Sequence, residues 1–345
     1  MNFEIVTSPV DASTALAWNE CLDRSQLATQ YTSPAFLSEV YFQDKRPFAV
    51  LATHGGVVEG VLTGFFDRRE VVCGTPASPH VNLRSGADVN DVATALIKGL
   101  RSHTRGSANF ISIYSWTPMA AFEQSGLRSR VVNVPLCTYL LDLSKGKDQL
   151  LRSCSETRRN KIRRAIKAGV DVAVMNLERD FAEYYDLYSD WCAFKNVARQ
   201  SADIQRRAFQ AKESRLVLVA RHEGRIVGVS TFRFRRPGVV EYAANVSRRE
   251  ESKVRQNDLL LWRGVEWAVE QGDFRYFSTA GAHFFLAKFG GDLQLTYRYT
   301  LDRTVLRQRH AAEDIRRVAR RAFEHLPSGV QRISRQLLRR PGESE

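Results

Sequence analysis

The chain has no apolar segment long enough to cross a membrane. No stretch of its 345 residues approaches the roughly 18 uninterrupted apolar residues that a spanning helix needs. The N-terminus lacks a basic region followed by an apolar stretch, so we expect no signal peptide. Its five cysteines form neither a CxxC pair nor a Cys/His cluster, which argues against a disulfide framework and a structural zinc site. We therefore expect a protein of the reducing cytoplasm without a metal site.

Acidic residues are also in short supply relative to basic ones. Lys and Arg total 51 and Asp and Glu total 38, which gives a formal net charge of +13. Such an excess favours anionic partners, such as nucleic acid, phosphorylated ligands or an acidic membrane surface. The 43% hydrophobic content excludes a mainly disordered chain, and at about 100–200 residues per domain the length predicts two domains.

The positive charge is concentrated in two segments. Residues 157–168 carry six basic residues, including Arg158, and no acid, and their apolar residues share one helical face. Residues 303–340 carry 11 Arg and three acids, a net of 11 − 3 = +8. Their apolar residues predict two amphipathic helices interrupted at 327–329. This tail is open to three interpretations: a surface that binds anionic lipid, an RNA-contacting arm, or a solvated terminus.

An aromatic stripe marks the helix that follows the first basic segment. Its members recur at helical spacing and are Phe181, Tyr184, Tyr185, Tyr188 and Trp191. A stripe of this kind is far more often core than a ligand-binding box, and we predict that it belongs to the core.

The second half has an informative order of elements. Two helices precede three consecutive strands, the third over 239–246, and a polar loop leads into a helix over 259–271. A strand over 274–280 follows. Residues 293–301 alternate apolar and polar throughout, which predicts one final strand.

This order of elements, together with four short sequence motifs, resembles the FemAB-like branch of the GNAT acyltransferase superfamily. The resemblance covers roughly residues 25–305. The segments that carry it are YTSPAFL at 31–37, SETRRNKIRRA at 155–165, NDLLLW at 257–262 and KFGG at 288–291.

The resemblance implies an α/β fold of mixed sheets in two tandem GNAT-like domains. We expect a degenerate N-terminal domain over 1–146 and the acyltransferase domain over 147–302. The basic helical tail would then occupy 303–345. In this fold, strands 239–246 and 274–280 would be parallel neighbours that splay apart, so that the opening admits an acyl donor. The start of the next helix would face a phosphate group of that donor.

The loop at 247–257 departs from the usual GNAT pattern. Members of the superfamily that use acetyl-CoA usually have glycines here, and this loop has none. The departure weakens the case for acetyl-CoA held in the usual way, and leaves aminoacyl-tRNA as an alternative to acyl-CoA. Neither donor is expected to be tightly bound. The loop offers as donor-binding residues Arg248, Arg249, Lys253, Arg255 and Asn257.

Three basic residues outside this loop are candidates for substrate binding. Lys288 matches the closing lysine of the family and would bind a phosphate or carboxylate. Arg159 and Arg163 lie four residues apart on the basic helix and could bind a nucleotide-linked acceptor or RNA phosphates. For all three, the competing interpretation is an ordinary solvated surface charge.

Three residues of strand 239–246 are candidates for the chemistry itself. Glu241 lies where several GNAT enzymes place a general base, and a carboxylate in a cleft would have a raised pKa suited to accepting a proton. The competing interpretation is an outward-facing residue of an alternating strand. Tyr242 and Asn245 are comparable candidates.

These observations predict an acyl- or aminoacyltransferase that forms an amide on an amine. The acceptor would be a cell-envelope, peptidoglycan-precursor or surface-polysaccharide compound, and the protein would be cytoplasmic, with a peripheral membrane contact through its tail. The alternative is a non-catalytic GNAT-like protein that binds an anionic glycan, a lipid-linked precursor or RNA. That alternative is consistent with the missing glycines and the lack of a convincing base.

Overall fold

The computed structural model describes residues 1–324. The second predicted tail helix lies outside these residues. The elements of the first part are β1 (Asn2–Val6), α1 (Ala12–Asp23), β2 (Pro47–His54), β3 (Val57–Asp67), β4 (Glu70–Cys73), β5 (Val81–Leu83), α2 (Val89–His103), β6 (Phe110–Ser115), α3 (Ala120–Gln124), β7 (Arg128–Val131) and β8 (Thr138–Asp142).

The second part contains the predicted basic helix and the predicted helix with the aromatic stripe, and it begins with a further helix that was not predicted. Its elements are α4 (Gly146–Ser153), α5 (Glu156–Lys167), β9 (Asp171–Val174), α6 (Leu177–Lys195), α7 (Ala202–Gln210), β10 (Arg215–His222), β11 (Arg225–Phe234), β12 (Val239–Ser247), α8 (Gln256–Gln271), β13 (Tyr276–Ser278), α9 (Phe284–Ala287), β14 (Asp292–Gln294), β15 (Tyr297–Asp302) and α10 (Gln308–Glu324). The mixed α/β architecture with a C-terminal helix is as predicted.

Two mixed sheets form the framework, and each takes one strand from the other half of the chain. One has the order β1-β2-β3-β4-β6-β15-β7, with β5 paired to β3, and the other has the order β14-β8-β13-β12-β11-β10-β9. Strand β8 therefore lies in the second sheet and β15 in the first. Sheet membership therefore does not follow chain order, because a strand's alternation does not report which sheet it joins.

The single strand predicted over 293–301 is wrong. The structure divides it into β14, which pairs with β8, and β15, which pairs with both β6 and β7. The break falls at Leu295–Thr296, where the fully buried Thr296 donates its hydroxyl to the carbonyl oxygen of Pro76 at 2.6 Å. The alternation of side chains continues on both sides of the break, so the sequence pattern hides it.

Helices cover both faces of the second sheet. One cluster of buried side chains joins α5 and α8 to β11 and β12. A separate cluster joins α6 and α7 to the opposite face. Helix α8 lies so close to β11 that a Cβ on Gly264 would be 2.3 Å from the ring of the fully buried Phe232, so only glycine fits there. No helix in residues 1–324 combines the length and apolarity that crossing a membrane requires.

Candidate active site

The predicted opening between two parallel strands is present. Strands β12 and β13 pair only over Val239–Glu241 and Tyr276–Ser278, after which β13 ends and β12 continues to Ser247. A bulge places one extra residue, Ala243, in β12 just beyond that point, since Thr231 faces Ala244 and Phe232 faces Tyr242. Within residues 1–324, no strand pairs with β12 on this side beyond Glu241. Its free backbone groups form an edge that can bind an extended chain of amides.

Helix α8 begins beside this open edge. Arg255 precedes it in the left-handed conformation with φ of 62°, and no side chain caps the first turn within the described residues. The glycine-free loop therefore makes its turn with an arginine, at a cost of about 1–2 kcal/mol. The side-chain amide of Gln256 donates to the carbonyl oxygens of Val227 and Arg248 at 3.4 and 3.2 Å and holds the loop against β11. The uncapped N–H groups of α8 suit an anion.

Three cations from different elements lie close enough to interact electrostatically, and one of them immediately precedes α8. They are Lys161 on α5, Arg255 at the helix start and Lys288 after α9. Partial burial, together with the positive charges of Arg158, Arg255 and Lys288, lowers the pKa of Lys161. The Lys288 Nζ lies 4.0 Å from the centre of the Phe284 ring, which is 78% exposed. We refer to Lys161, Arg255 and Lys288 as the basic triad.

A buried arginine ties together the elements that carry the basic triad. Arg158 on α5 is 2% exposed and forms an ion pair with Asp258 in the first turn of α8. It also donates to the carbonyl oxygen of Phe285 at 2.7 Å and lies 4.1 and 4.5 Å from the ring centres of Phe285 and Phe289. Although Arg158 is one of the six basic residues of segment 157–168, it therefore faces the core rather than solvent.

The other predicted arginines have mainly structural contacts. Arg159 donates to the carbonyl oxygens of Arg152 and Cys154 and so caps the end of α4. Arg163 is exposed and bonds only to the Asn160 side chain, at 3.0 Å.

The predicted donor-binding residues of the loop have diverse surroundings. Arg248 donates to the carbonyl oxygen of Ile226 at 2.9 Å, and Arg249 stacks on the Phe194 ring at 4.0 Å. Lys253 is exposed, and the amide of Asn257 donates to the hydroxyl of Ser247 at 3.1 Å. Arg255 is the member of this set that joins the basic triad.

A cavity of about 460 Å³ lies against β12, on the face of the second sheet that α6 and α7 cover. Side chains from α6, α7, β11 and the N-terminal part of the chain surround it. Its lining residues are Tyr31, Tyr41, Tyr184, Tyr188, Trp191, Gln200, Gln205, Phe209, Arg215, Val229, Thr231, Arg233, Ala243, Ala244, Asn245 and Val246. The β12 members of this set belong to the stretch whose edge is open, so the cavity adjoins that edge.

The aromatic stripe of α6 has two roles. Phe181 and Tyr184 are buried in the core as predicted. Tyr184, Tyr188 and Trp191 also form one wall of the cavity, so assigning the whole stripe to the core was incomplete. A periodic pattern reports that a helix face is covered and cannot tell a packed wall from the wall of a cavity.

Glu241 is completely buried and does not line the cavity. The Ser78 hydroxyl donates to its Oε1 at 2.5 Å, and its Oε2 lies 3.9 Å from an Arg233 nitrogen. Burial raises the pKa of Glu241, while Arg233 and Ser78 oppose that rise. Glu241 is therefore bonded to Ser78 of the N-terminal part of the chain, and Arg233 lies between it and the cavity.

The other two candidates from β12, Tyr242 and Asn245, have different surroundings. Tyr242 packs against Phe232 in the core, with ring centres 5.8 Å apart, and burial raises the pKa of its hydroxyl. Asn245 lines the cavity, and its amide donates to the Ser230 hydroxyl at 2.9 Å.

Sequence reasoning missed Arg233 and Tyr31, which lie together at the cavity. The Arg233 guanidinium lies 3.9 Å from the centre of the Tyr31 ring. A signal existed for the arginine, because a charged residue interrupts the largely apolar β11 and faces Glu241 in the neighbouring strand. No group of three His, Cys, Asp or Glu in residues 1–324 could hold a metal ion.

Comparison with known proteins agrees with this geometry. Residues 152–285 match the family model of the acetyltransferase (GNAT) domain. Comparison with curated protein sequences gives no significant match. Among solved structures, FemX is similar over 87% of this chain and 97% of its own, with a TM-score of 0.65 and 11% identity.

Two further structures share the fold. The C-terminal domain of a putative lysylphosphatidylglycerol synthetase from Agrobacterium fabrum covers 88% of this chain and 96% of its own, with a TM-score of 0.58 and 14% identity. A tandem GNAT protein from the clavulanic acid biosynthesis pathway covers 88% and 99%, with a TM-score of 0.54 and 14% identity.

Residues 152–285, which contain the opened strand pair, match the acetyltransferase (GNAT) domain. The chain as a whole shares its fold with FemX and with the tandem GNAT protein. The resemblance read from the sequence is thereby confirmed, and so is the prediction of a transferase.

Proposed function

We propose that the protein transfers an acyl group from acyl-CoA to an amine of a cell-envelope or surface-polysaccharide precursor. One observation carries the donor assignment: the open edge of β12 meets the uncapped start of α8 where the basic triad lies. Acyl-CoA joins a chain of amides to a pyrophosphate. The open edge suits the amides, and the helix start with three cations suits the pyrophosphate.

The reaction needs few groups once both substrates are held. The amine nitrogen attacks the thioester carbonyl carbon, a C–N bond forms, and the C–S bond breaks to release the thiol of CoA, which takes up the proton that the amine loses. No carboxylate or histidine from residues 1–324 lines the cavity. Orientation of the two reactants therefore contributes most of the rate enhancement in this proposal. Of the three predicted catalytic residues, Asn245 is the one that lines the cavity, where this proposal places the acceptor.

An envelope acceptor is supported by two of the similar structures and by α10. FemX and the putative lysylphosphatidylglycerol synthetase share the fold, and the name of the second refers to a phospholipid product. On this basis we propose that the protein works in the cytoplasm at the inner face of the membrane, with α10 in contact with anionic lipid.

The orientation of α10 favours that contact. Its two described acids face the protein, since Asp314 pairs with Arg128 and Glu313 pairs with Arg298 at 2.8 Å. Ile315 and Val318 face outward and are 69% and 64% exposed. A helix with exposed apolar residues among arginines is suited to the surface of an anionic bilayer.

Replacing Ile315 and Val318 by aspartate should abolish binding to vesicles that contain phosphatidylglycerol. The two changes remove outward apolar surface and add negative charge. Co-sedimentation with vesicles of phosphatidylcholine, with and without phosphatidylglycerol, measures the effect. Leu16→Asp is the control, because Leu16 on α1 is 63% exposed and far from α10 in sequence. An equal loss of vesicle binding in the control, or wild-type binding that does not depend on phosphatidylglycerol, would refute the lipid contact.

The choice of donor is tested by titrating acetyl-CoA and bulk tRNA over a salt series. About three cations face the donor, and acetyl-CoA has no condensed counterion layer, so its affinity should fall by at most about 40-fold between about 50 and 200 mM salt. An aminoacyl-tRNA enzyme making many phosphate contacts would lose about 1000-fold or more over the same range. Tight, steeply salt-dependent tRNA binding without acetyl-CoA binding would replace the proposed donor by aminoacyl-tRNA.

A further inference from the structure

The two arginines of the cavity differ in how their charge is satisfied. Arg215 is 6% exposed, and it donates to the carbonyl oxygen of Ala208 at 2.7 Å and to the Glu39 carboxylate at 2.9 Å. Arg233 has no hydrogen bond of this kind within residues 1–324, and its Nε is buried without a partner. The nearest carboxylate oxygen, Oε2 of Glu241, lies 3.9 Å away, beyond hydrogen-bonding distance.

The guanidinium of Arg233 is nevertheless held in place. It stacks on the Tyr31 ring, and its side chain is 15% exposed, so that it forms part of the cavity wall. Glu241 cannot rotate freely to meet it, because the Ser78 hydroxyl binds the other carboxylate oxygen. A mostly buried guanidinium with free donors is costly unless something in the cavity accepts from it.

The chemistry of the cavity limits what that acceptor is. A planar guanidinium with free donors matches a carboxylate, which it can bind through two parallel hydrogen bonds. The positive charge of Arg233 is partly offset by Glu241, so a group of single negative charge fits better than a phosphate. The remaining walls are aromatic rings and the amides of Gln200, Gln205 and Asn245, which suit a ring or an apolar group with some polar substituents.

We propose that the cavity binds an amine acceptor that carries a carboxylate next to a ring or apolar group, and that Arg233 binds this carboxylate. The proposal rests on the proposed function only in naming the ligand as the acceptor. Arg233 lies on β11 opposite Glu241, the last residue of β12 that pairs with β13. Further along β12, Ala243 to Val246 line the same cavity as Arg233. A carboxylate fixed at Arg233 would therefore place the rest of the acceptor against the part of β12 whose other edge is open to the donor.

Two matched pairs of probes test this assignment by calorimetry. Phenylalanine is compared with phenylalaninamide, and muramic acid with its carboxamide, so that the members of each pair differ only in the carboxylate. We expect the carboxylate-bearing member of at least one pair to bind about tenfold more tightly or better. The pair that shows the preference distinguishes an amino-acid scaffold from an amino-sugar scaffold.

The variant Arg233→Gln should remove that preference. The control Arg199→Gln should keep it, because Arg199 bonds to Ser189 outside the cavity lining. Acetyl-CoA binding should be unchanged in both variants, which shows that they fold and separates this proposal from the donor assignment. A preference that persists in Arg233→Gln, equal binding within both pairs, or no binding of any probe would overturn the proposal.

Discussion

Arg158→Met is expected to lower the free energy of unfolding by about 3–5 kcal/mol. Arg158 and Asp258 are both buried, and removing the arginine leaves an uncompensated carboxylate in the core. Burial lowers the pKa of Arg158 to about 10, so it remains cationic at neutral pH and the ion pair is intact there. The change also removes the contacts with Phe285 and Phe289, and urea denaturation at neutral pH measures the total.

Two further variants separate the buried ion pair from the helix that bears it. Arg163→Met, on the exposed face of the same helix, should change the free energy of unfolding by no more than about 0.5 kcal/mol. The double variant Arg158→Met with Asp258→Leu should be more stable than Arg158→Met alone, because no charge is left buried. A single Arg158→Met variant as stable as Arg163→Met would contradict the structural role of the ion pair.

The double variant Lys161→Gln with Lys288→Gln is expected to weaken acetyl-CoA binding by about 100-fold or more. Each ammonium in contact with a phosphate contributes about 1.5–3 kcal/mol, which corresponds to about 10- to 100-fold in affinity. Calorimetric titration at about 0.15 M salt measures the effect, because the Debye length is then only about 8 Å. Lys161 and Lys288 come from separate elements that meet at the start of α8, so their joint loss should remove most of the charge that faces the donor.

A control variant of equal charge distinguishes this local effect from general electrostatics. Lys167 and Lys212 are both exposed, and replacing both by glutamine removes the same two charges. We expect that control to change acetyl-CoA affinity by less than about threefold, because exposed charges more than a Debye length away are largely screened. Equal weakening in the two double variants would show that the basic triad is not the donor's phosphate site.

The sequence was enough to predict the tandem fold, because the order of helices and strands over 150–301 and the local motifs agree with it. It did not predict that β8 and β15 cross between sheets. Strand β15 alternates well, but alternation specifies which face is covered and not which strand lies alongside. For the same reason, the alternating run over 293–301 concealed the break at Leu295–Thr296.

The residues of the candidate site could likewise be predicted only in part from the sequence. Lys288 and Arg255 lie in the basic triad, whereas Arg159 caps α4 and Arg248 binds a carbonyl oxygen of β11. The sequence does not show whether a basic side chain binds a backbone oxygen or is available to bind a ligand. Arg233 was missed because its significance depends on Tyr31 and Ser78, which lie more than 150 positions away in the chain.

Backbone hydrogen exchange with and without acetyl-CoA tests the central claim most directly, namely that the donor lies along the open edge of β12 and reaches the start of α8. We predict slower exchange in Ala243–Ser247 and in the first turn of α8 when acetyl-CoA is bound, with exchange in β4 and β6 of the other sheet unchanged. Protection confined to the other sheet, or saturating acetyl-CoA that leaves β12 and α8 unprotected, would contradict it.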